Sequence, residues 1–344
     1  MSLDKFTSFV QRFESSHPNF SDVHICSGRE IGLRVGNDIV RVEEKFHKED
    51  VVQLLRECGQ NEVAQDSDFA LSANGYRWRV NACHNIAGIA LVGRKIPPEI
   101  PFIGSLGVPE YLSQVVNRSS GLFIVTGITG SGKTTTLAAM LELANRTRPV
   151  KIITLEDPIE FVYQSKMADV IQREIKTHTP TFLSGIKSMM REDPDIALVG
   201  EIRDQETAEA AFELAETGHL VFATLHADKA RDAIDRLISL FKEDKNSGMR
   251  LSTLSSILIG TLTQKLAPKT SGGRVLVSEL MINSPGIRSL IRDGESSKIQ
   301  TLLETSSKLG MYTLNQNLEK LASGGVISRE TALEFSYDPD NLKV

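Results

Sequence analysis

Cysteine is scarce in this chain of 344 residues: Cys26, Cys58 and Cys83 are the only three, and no C-x-x-C pair occurs. That scarcity excludes a four-cysteine zinc site and disfavours a disulfide framework, so the thiols read as reduced structural groups of a cytoplasmic protein. Long apolar runs are lacking as well. No stretch reaches the roughly 18 residues that a membrane-spanning helix needs. The opening Met1-Ser2-Leu3-Asp4-Lys5-Phe6 has no basic segment followed by an apolar one, and no signal peptide is expected. Positive charge is not in excess either, with 39 Lys and Arg against 44 Asp and Glu, a net of −5. No extended tract interleaves basic and aromatic residues, so nucleic acid is not an expected partner. There is no internal repeat and no low-complexity tract longer than Ser271-Gly272-Gly273. The expectation is a cytoplasmic protein that meets a membrane only through a partner.

At this length two domains are expected, each able to bury a core. Residues 1–95 read as a small α+β domain. A helix near Leu3–Ser15 presents Phe6, Phe9, Val10 and Phe13 at near-helical spacing. Strand-like segments follow at Asp22–Cys26, Gly32–Val35 and Asp38–Val42, with a Gly36-Asn37 hairpin signal between the last two. A helix near Lys48–Cys58 and strands near Phe69–Leu71, Tyr76–Ala82 and Ile89–Arg94 complete the domain. Ile96-Pro97-Pro98-Glu99-Ile100-Pro101 cannot continue regular structure and opens a proline-rich linker over 96–109. From 110 to 344 strands alternate with helices, which predicts a parallel α/β sheet. Its strands are expected at Leu122–Thr126, Lys151–Leu155, Ile196–Val199, Leu220–Leu225 and Arg274–Met281. Helices are expected near Asp232–Phe241, Met249–Leu266 and Ile287–Leu321.

The most informative segment is Gly127-Ile128-Thr129-Gly130-Ser131-Gly132-Lys133-Thr134, a complete G-x-x-x-x-G-K-[ST] loop between an apolar strand and a helix-prone run. Glycines let the backbone wrap a phosphate chain with its N–H groups turned inward at a helix N-terminus. Lys133 can reach the β- and γ-phosphates and the Thr134 hydroxyl can ligate Mg²⁺. Gly127, Thr129, Gly130, Ser131, Gly132, Lys133, Thr134 and Thr135 are therefore the expected nucleotide-binding residues.

Further segments place polar residues just past apolar strands, at the carboxyl edge where open α/β sheets bind ligands. Leu155-Glu156-Asp157-Pro158-Ile159-Glu160-Phe161 offers Glu156, Asp157 and Glu160 as candidates to orient or deprotonate a water. Ile196-Ala197-Leu198-Val199-Gly200-Glu201 is an apolar strand ending in an acid, with Glu201 the candidate at Mg²⁺. Thr217–His226 frames a strand between His219 and His226. His226 is placed to bond a γ-phosphate. His219 is a second candidate at the nucleotide, or at a subunit interface.

Together Gly127–Thr134, Glu156–Phe161, Arg191–Asp204 and Thr217–His226 resemble, in order and spacing, the Walker A, Asp, Walker B and His boxes of the type II/type IV secretion ATPases. Ser21–Ile25 and Arg77–Ala82 are similar to that superfamily's PAS-like N-terminal domain. Gly286-Ile287-Arg288-Ser289-Leu290-Ile291-Arg292-Asp293 resembles the A-I-R-N-L-I-R-E segment of its PilT-like retraction branch. The resemblance implies a RecA-like P-loop NTPase domain beside a smaller PAS-like α+β domain. It implies a Mg²⁺-dependent ATPase forming a homo-hexamer, peripheral to the inner membrane, that powers pilus retraction through an inner-membrane platform protein; the alternative is a motor of a protein secretion system. It selects Glu160 as general base and brings Arg77, Arg79 and Arg94 to the phosphates as catalytic cations. Ile287, Leu290 and Ile291 are equally expected to form an ordinary buried helix face.

Overall fold

The computed structural model of the chain describes residues 2–17, 20–36, 38–60, 66–96, 99–241 and 246–343. Asn37 of the expected hairpin turn and Pro97 and Pro98 of the expected linker lie outside the described residues. The chain forms two units. The first runs to Ile100 and also includes Asp157–Val162; the second comprises Pro101–Glu156 and everything from Tyr163 on.

The first unit contains α1 (Ser2–Ser16), β1 (Phe20–Cys26), β2 (Glu30–Val35), β3 (Asp38–Lys45), α2 (Lys48–Glu57), β4 (Ser67–Ala73), β5 (Tyr76–Asn85) and β6 (Gly88–Ile96). Its strands make one six-stranded antiparallel sheet in the order β3-β2-β1-β6-β5-β4. Helical spacing in α1 and α2 turns Phe6, Phe9, Val10, Val51, Leu54 and Leu55 toward Val23, Leu33, Leu71, Trp78 and Val80 of the sheet. The three thiols are free, and burial pushes the Cys58 thiol up to about 11. Trp78 is fully buried, and its indole N–H donates to the Ala73 carbonyl at 3.2 Å. Trp78→Ala is expected to destabilise this unit by about 3–5 kcal/mol, read as a lower urea midpoint. A shift under about 1 kcal/mol would mean that the site collapses around the smaller side chain.

Strand alternation places Arg77 and Arg79 on the face opposite Trp78 and Val80. Arg79 stands directly across from Arg94 of β6. The three arginines therefore share the face that the helices leave uncovered.

The second unit contains α3 (Tyr111–Val116), β7 (Gly121–Thr126), α4 (Lys133–Thr147), β8 (Lys151–Glu156), β9 (Asp169–Glu174), α5 (Phe182–Met189), β10 (Ile196–Val199), α6 (Gln205–Glu216) and β11 (Leu220–Leu225). It continues through α7 (Ala230–Leu240), α8 (Ser247–Ile257), β12 (Leu258–Pro268), β13 (Arg274–Ile282), α9 (Pro285–Arg292), α10 (Ile299–Thr305), α11 (Leu314–Ser323) and α12 (Arg329–Phe335). The seven-stranded sheet has the order β13-β12-β7-β11-β10-β8-β9. All neighbours are parallel except β12 and β13. Every residue of β7, β10 and β11 is buried, as expected where helices cover both faces of a parallel sheet.

Two expected helices differ from the structure. Met249–Leu266 is helical only to Ile257; from Leu258 the chain is the strand β12, inserted between β7 and β13. Short apolar runs do not distinguish buried helix from buried strand, and here pairing on both sides decides. The stretch Ile287–Leu321 is three separate helices, the last restarted at Leu314 by the Thr313 side chain accepting from the Gln316 amide. In α9, Ile287 and Ile291 are buried while Arg288 and Arg292 are exposed.

Candidate active site

Parallel strands send β7, β8, β10 and β11 to the same edge of the sheet, so the segments after them gather there. At the end of β7 the chain leaves the sheet through Gly127, whose φ is 142°. A Cβ there would lie 2.4 Å from the Gln264 carbonyl oxygen and 2.5 Å from Ser131 Oγ, so the turn admits glycine alone. Gly132, with φ 90°, caps α4 in the left-handed region and brings Lys133 into its first turn. The orphan N–H groups at the start of this 15-residue helix thus face the loop.

Lys133 Nζ donates to the Gly127 and Ile128 carbonyls at 2.8 and 3.0 Å, which holds the ammonium inside the loop. Ser131 Oγ is buried with no hydrogen-bond partner among the described residues. Thr129 and Gly130 are exposed at the tip, and Thr134 and Thr135 are half-buried in the first turn of α4. Behind the loop, Gln264 Nε2 donates to Thr136 Oγ1 at 2.7 Å and Thr126 Oγ1 donates to Thr263 Oγ1 at 2.9 Å. These buried bonds tie the loop's strand and helix to β12. Gly127→Ala is expected to weaken nucleotide binding about tenfold or more, because backbone strain of about 1–3 kcal/mol must be relieved inside the cradle. Titration with a fluorescent ATP analogue measures it, and unchanged affinity would sink the steric reading.

Glu201 stands just past β10, its side chain 15% exposed. Its Oε2 accepts from Arg203 Nε at 2.6 Å, and its Oε1 lies 3.5 Å from His226 Nε2. The strand ends beneath are tied together: Gly200 N donates to the Leu155 carbonyl at 2.8 Å, Ile202 N donates to the Thr224 carbonyl at 3.1 Å, and the Thr224 hydroxyl donates to the Gly200 carbonyl. The His226 carbonyl accepts from Arg236 of α7 at 3.1 Å. Glu201 and His226, separately selected from the sequence, therefore meet.

His219 does not join them. It precedes β11 at the other edge of the sheet, about 20 Å along the strand from His226. Its ring is bonded to the Leu214 carbonyl at 2.8 Å and approaches Thr217 Oγ1 at 3.1 Å, tying α6 to β11. The expectation that His219 contacts nucleotide is corrected to this extent: within one chain it cannot reach the Gly127–Thr134 loop.

The acidic segment after β8 divides between the units. Glu156 is buried, and its Oε1 accepts from Thr154 Oγ1 at 2.6 Å and Gln172 Nε2 at 3.2 Å. Glu160 belongs to the first unit, where its Oε1 accepts from Arg79 at 3.1 Å while Arg77 Nε donates to the Ile159 carbonyl at 3.3 Å. Arg94 Nε pairs with Asp22 Oδ1 at 2.7 Å. Burial acts to raise the Asp22 carboxyl, but the Ser21 hydroxyl and the Arg94 guanidinium outweigh it and hold it below the usual range.

The donor set fits a hard cation. The Thr134 hydroxyl and Glu201 carboxylate are oxygen ligands of the kind Mg²⁺ takes while keeping waters and phosphate oxygens. Among the described residues no cluster of three or more His, Cys, Asp and Glu forms a metal cage of its own. Sequence reasoning missed Gln264, Thr263, Arg203 and Arg236. The only available signal was the run Thr261, Thr263, Gln264 within an otherwise apolar stretch.

Comparison with known proteins places this geometry in context. The family model described as "Type II/IV secretion system protein" matches residues 56–332. The "Type IV pilus retractation ATPase PilT" of Pseudomonas aeruginosa is 40% identical over 336 residues, 95% of this chain and 97% of that protein. A "Twitching motility protein" of Neisseria gonorrhoeae is 42% identical over 320 residues, 90% of this chain and 85% of that protein. Among solved structures, the "Pilus Retraction Motor PilT and Bound ADP" matches with a TM-score of 0.85 at 36% identity, covering 97% of this chain and 98% of that one.

Proposed function

Because the chain belongs to the type II/IV secretion system protein family, we propose that it is the ATP-hydrolysing motor that powers type IV pilus retraction. The observation that carries the catalytic part is the convergence, at one sheet edge, of the glycine-built loop with its lysine and the Glu201–His226 pair.

The amides at the start of α4 bind the phosphate chain, and Lys133 neutralises its β- and γ-oxygens. Thr134 and Glu201 would hold Mg²⁺, which when bound spreads the charge that develops on the transferring phosphoryl group. His226 bonds the γ-phosphate and, being beside Glu201, reports its loss. Glu160 takes the proton of the attacking water. Arg77, Arg79 and Arg94 supply further positive charge, from the same chain or a neighbouring one. The working form is a homo-hexamer in which a domain of residues 1–95 moves against one of residues 110–344 about the linker 96–109. None of the described helices is long and apolar enough to cross a membrane. Force passes to the pilus through a platform protein at the cytoplasmic side of the inner membrane.

Deletion of the gene, with pilus length and surface motility scored together, tests this. Hyperpiliated, non-motile cells support retraction. Bald cells point to pilus assembly instead, and normal pili with lost export point to a secretion motor.

A further inference from the structure

Strand β13 carries a carboxylate sealed from solvent. Glu279 is 0% exposed, and its two oxygens are engaged by backbone amides of two different helices. Oε1 accepts from Ala230 N at 2.8 Å and Oε2 from Leu314 N at 3.3 Å. These are the first residues of α7 and α11. The residue before α7, Lys229, makes no side-chain cap, so the cap comes from outside the helix. Burial pushes the Glu279 carboxyl above its ordinary range, against the pull of both amides and of Lys229. A buried acid is costly to keep, and an apolar residue there would pack without that cost.

Two routes lead from Glu279 to the site. Across the sheet it is in register with Thr263, which is in register with Thr126 and bonded to it, immediately before Gly127. Along α7, Arg236 holds the His226 carbonyl, and only residues 227–229 separate His226 from the helix that Glu279 caps. The same segment is gripped from the C-terminal side. Lys229 and Lys265 lie 4.7 and 4.0 Å from the Tyr337 ring centroid, and Lys265 Nζ donates to the Phe335 carbonyl at 3.1 Å.

We propose that Glu279 is a positioning residue for His226: by pinning the N-termini of α7 and α11 it holds the His226 segment in place beside Glu201 for turnover. The proposal rests on His226 acting on the γ-phosphate. Glu279→Gln keeps one acceptor oxygen but turns the other into a donor that faces an N–H, so one of the two helix N-termini loses its bond to residue 279.

The test is a double-mutant cycle on the full chain with Glu279→Gln, His226→Asn and both together, measuring steady-state kcat and the affinity for a fluorescent ATP analogue. Glu279→Gln is expected to lower kcat about ten- to a hundredfold, with analogue affinity changed less than about twofold. The double variant is expected to be no slower than the slower single variant. An unchanged kcat in Glu279→Gln, a parallel loss of affinity, or multiplying losses in the double variant would overturn the proposal while leaving the His226 assignment standing. An unchanged kcat in His226→Asn would overturn both. If Glu279→Gln fails to fold, Arg236→Met, which cuts the bond from α7 to the His226 carbonyl, takes its place in the cycle with the same readings.

Discussion

Lys133→Ala is expected to reduce ATP turnover by a factor on the order of 10²–10³ or more, with the chain still folded. The ammonium is the cation nearest the loop's own backbone, held by the Gly127 and Ile128 carbonyls at the mouth of the amide cradle. Phosphoryl transfer asks little covalent chemistry of the protein, so positioning and charge neutralisation supply most of the rate. Removing the positive charge removes that contribution where negative charge is concentrated. The fold loses much less. The two hydrogen bonds to the Gly127 and Ile128 carbonyls go, each with a net worth of about 1 kcal/mol. Phosphate release and thermal unfolding, measured on the same preparation, separate the two effects. Turnover above about a tenth of the parent value would mean that Gly127–Thr134 is not the phosphate cradle. Lys133→Arg is expected to fare little better, because a planar guanidinium cannot replace a compact ammonium between two carbonyls.

The loop was legible in the sequence because its chemistry fixes both residue types and spacing. Only glycine tolerates the approach at Gly127, and the lysine must open the helix that follows. The strands β7, β10 and β11 were legible for a different reason: buried on both faces, each is a short, wholly apolar run. The strand β12 was not, since Leu258–Leu266 carries an apolar pattern compatible with either period, and its identity depends on partners far away in sequence. The short edge strand β9 was missed because Asp169, Arg173 and Glu174 make it read as a solvated loop. His219 illustrates the limit of counting residues around a strand. His219 stood as a second candidate at the nucleotide or at a subunit interface, yet a strand delivers its two ends to opposite edges of the sheet, and only His226 arrives beside Glu201. Glu279 gave no signal at all, because nothing local in Val277-Ser278-Glu279-Leu280 announces a cap for helices that begin at Ala230 and Leu314.

Glu160→Gln is expected to lower kcat by about 10²–10⁴ while ATP still binds, and Glu156→Gln is expected to change kcat less than about threefold. The sequence offers Glu156, Asp157 and Glu160 within one short segment and does not separate them. In the structure two of them, Glu156 and Glu160, stand in different environments. Glu156 is buried at the end of β8, where Oε1 already accepts from Thr154 and Gln172. An amide oxygen in the same place accepts the same two bonds. Glu160 is less enclosed, its side chain 26% exposed, and it pairs with the Arg79 guanidinium at 3.1 Å. A glutamine there still offers Arg79 a carbonyl oxygen, so the contact between the acidic segment and β5 persists. What it cannot do is accept a proton from water, and that proton transfer is where a general base lowers the barrier. Steady-state turnover with analogue binding at saturating Mg²⁺ distinguishes the cases. Loss of turnover in Glu160→Gln with unchanged affinity supports the assignment. Near-parent turnover in Glu160→Gln together with collapse in Glu156→Gln would move the base to the buried acid, and the Thr154 and Gln172 bonds would then be its orienting shell.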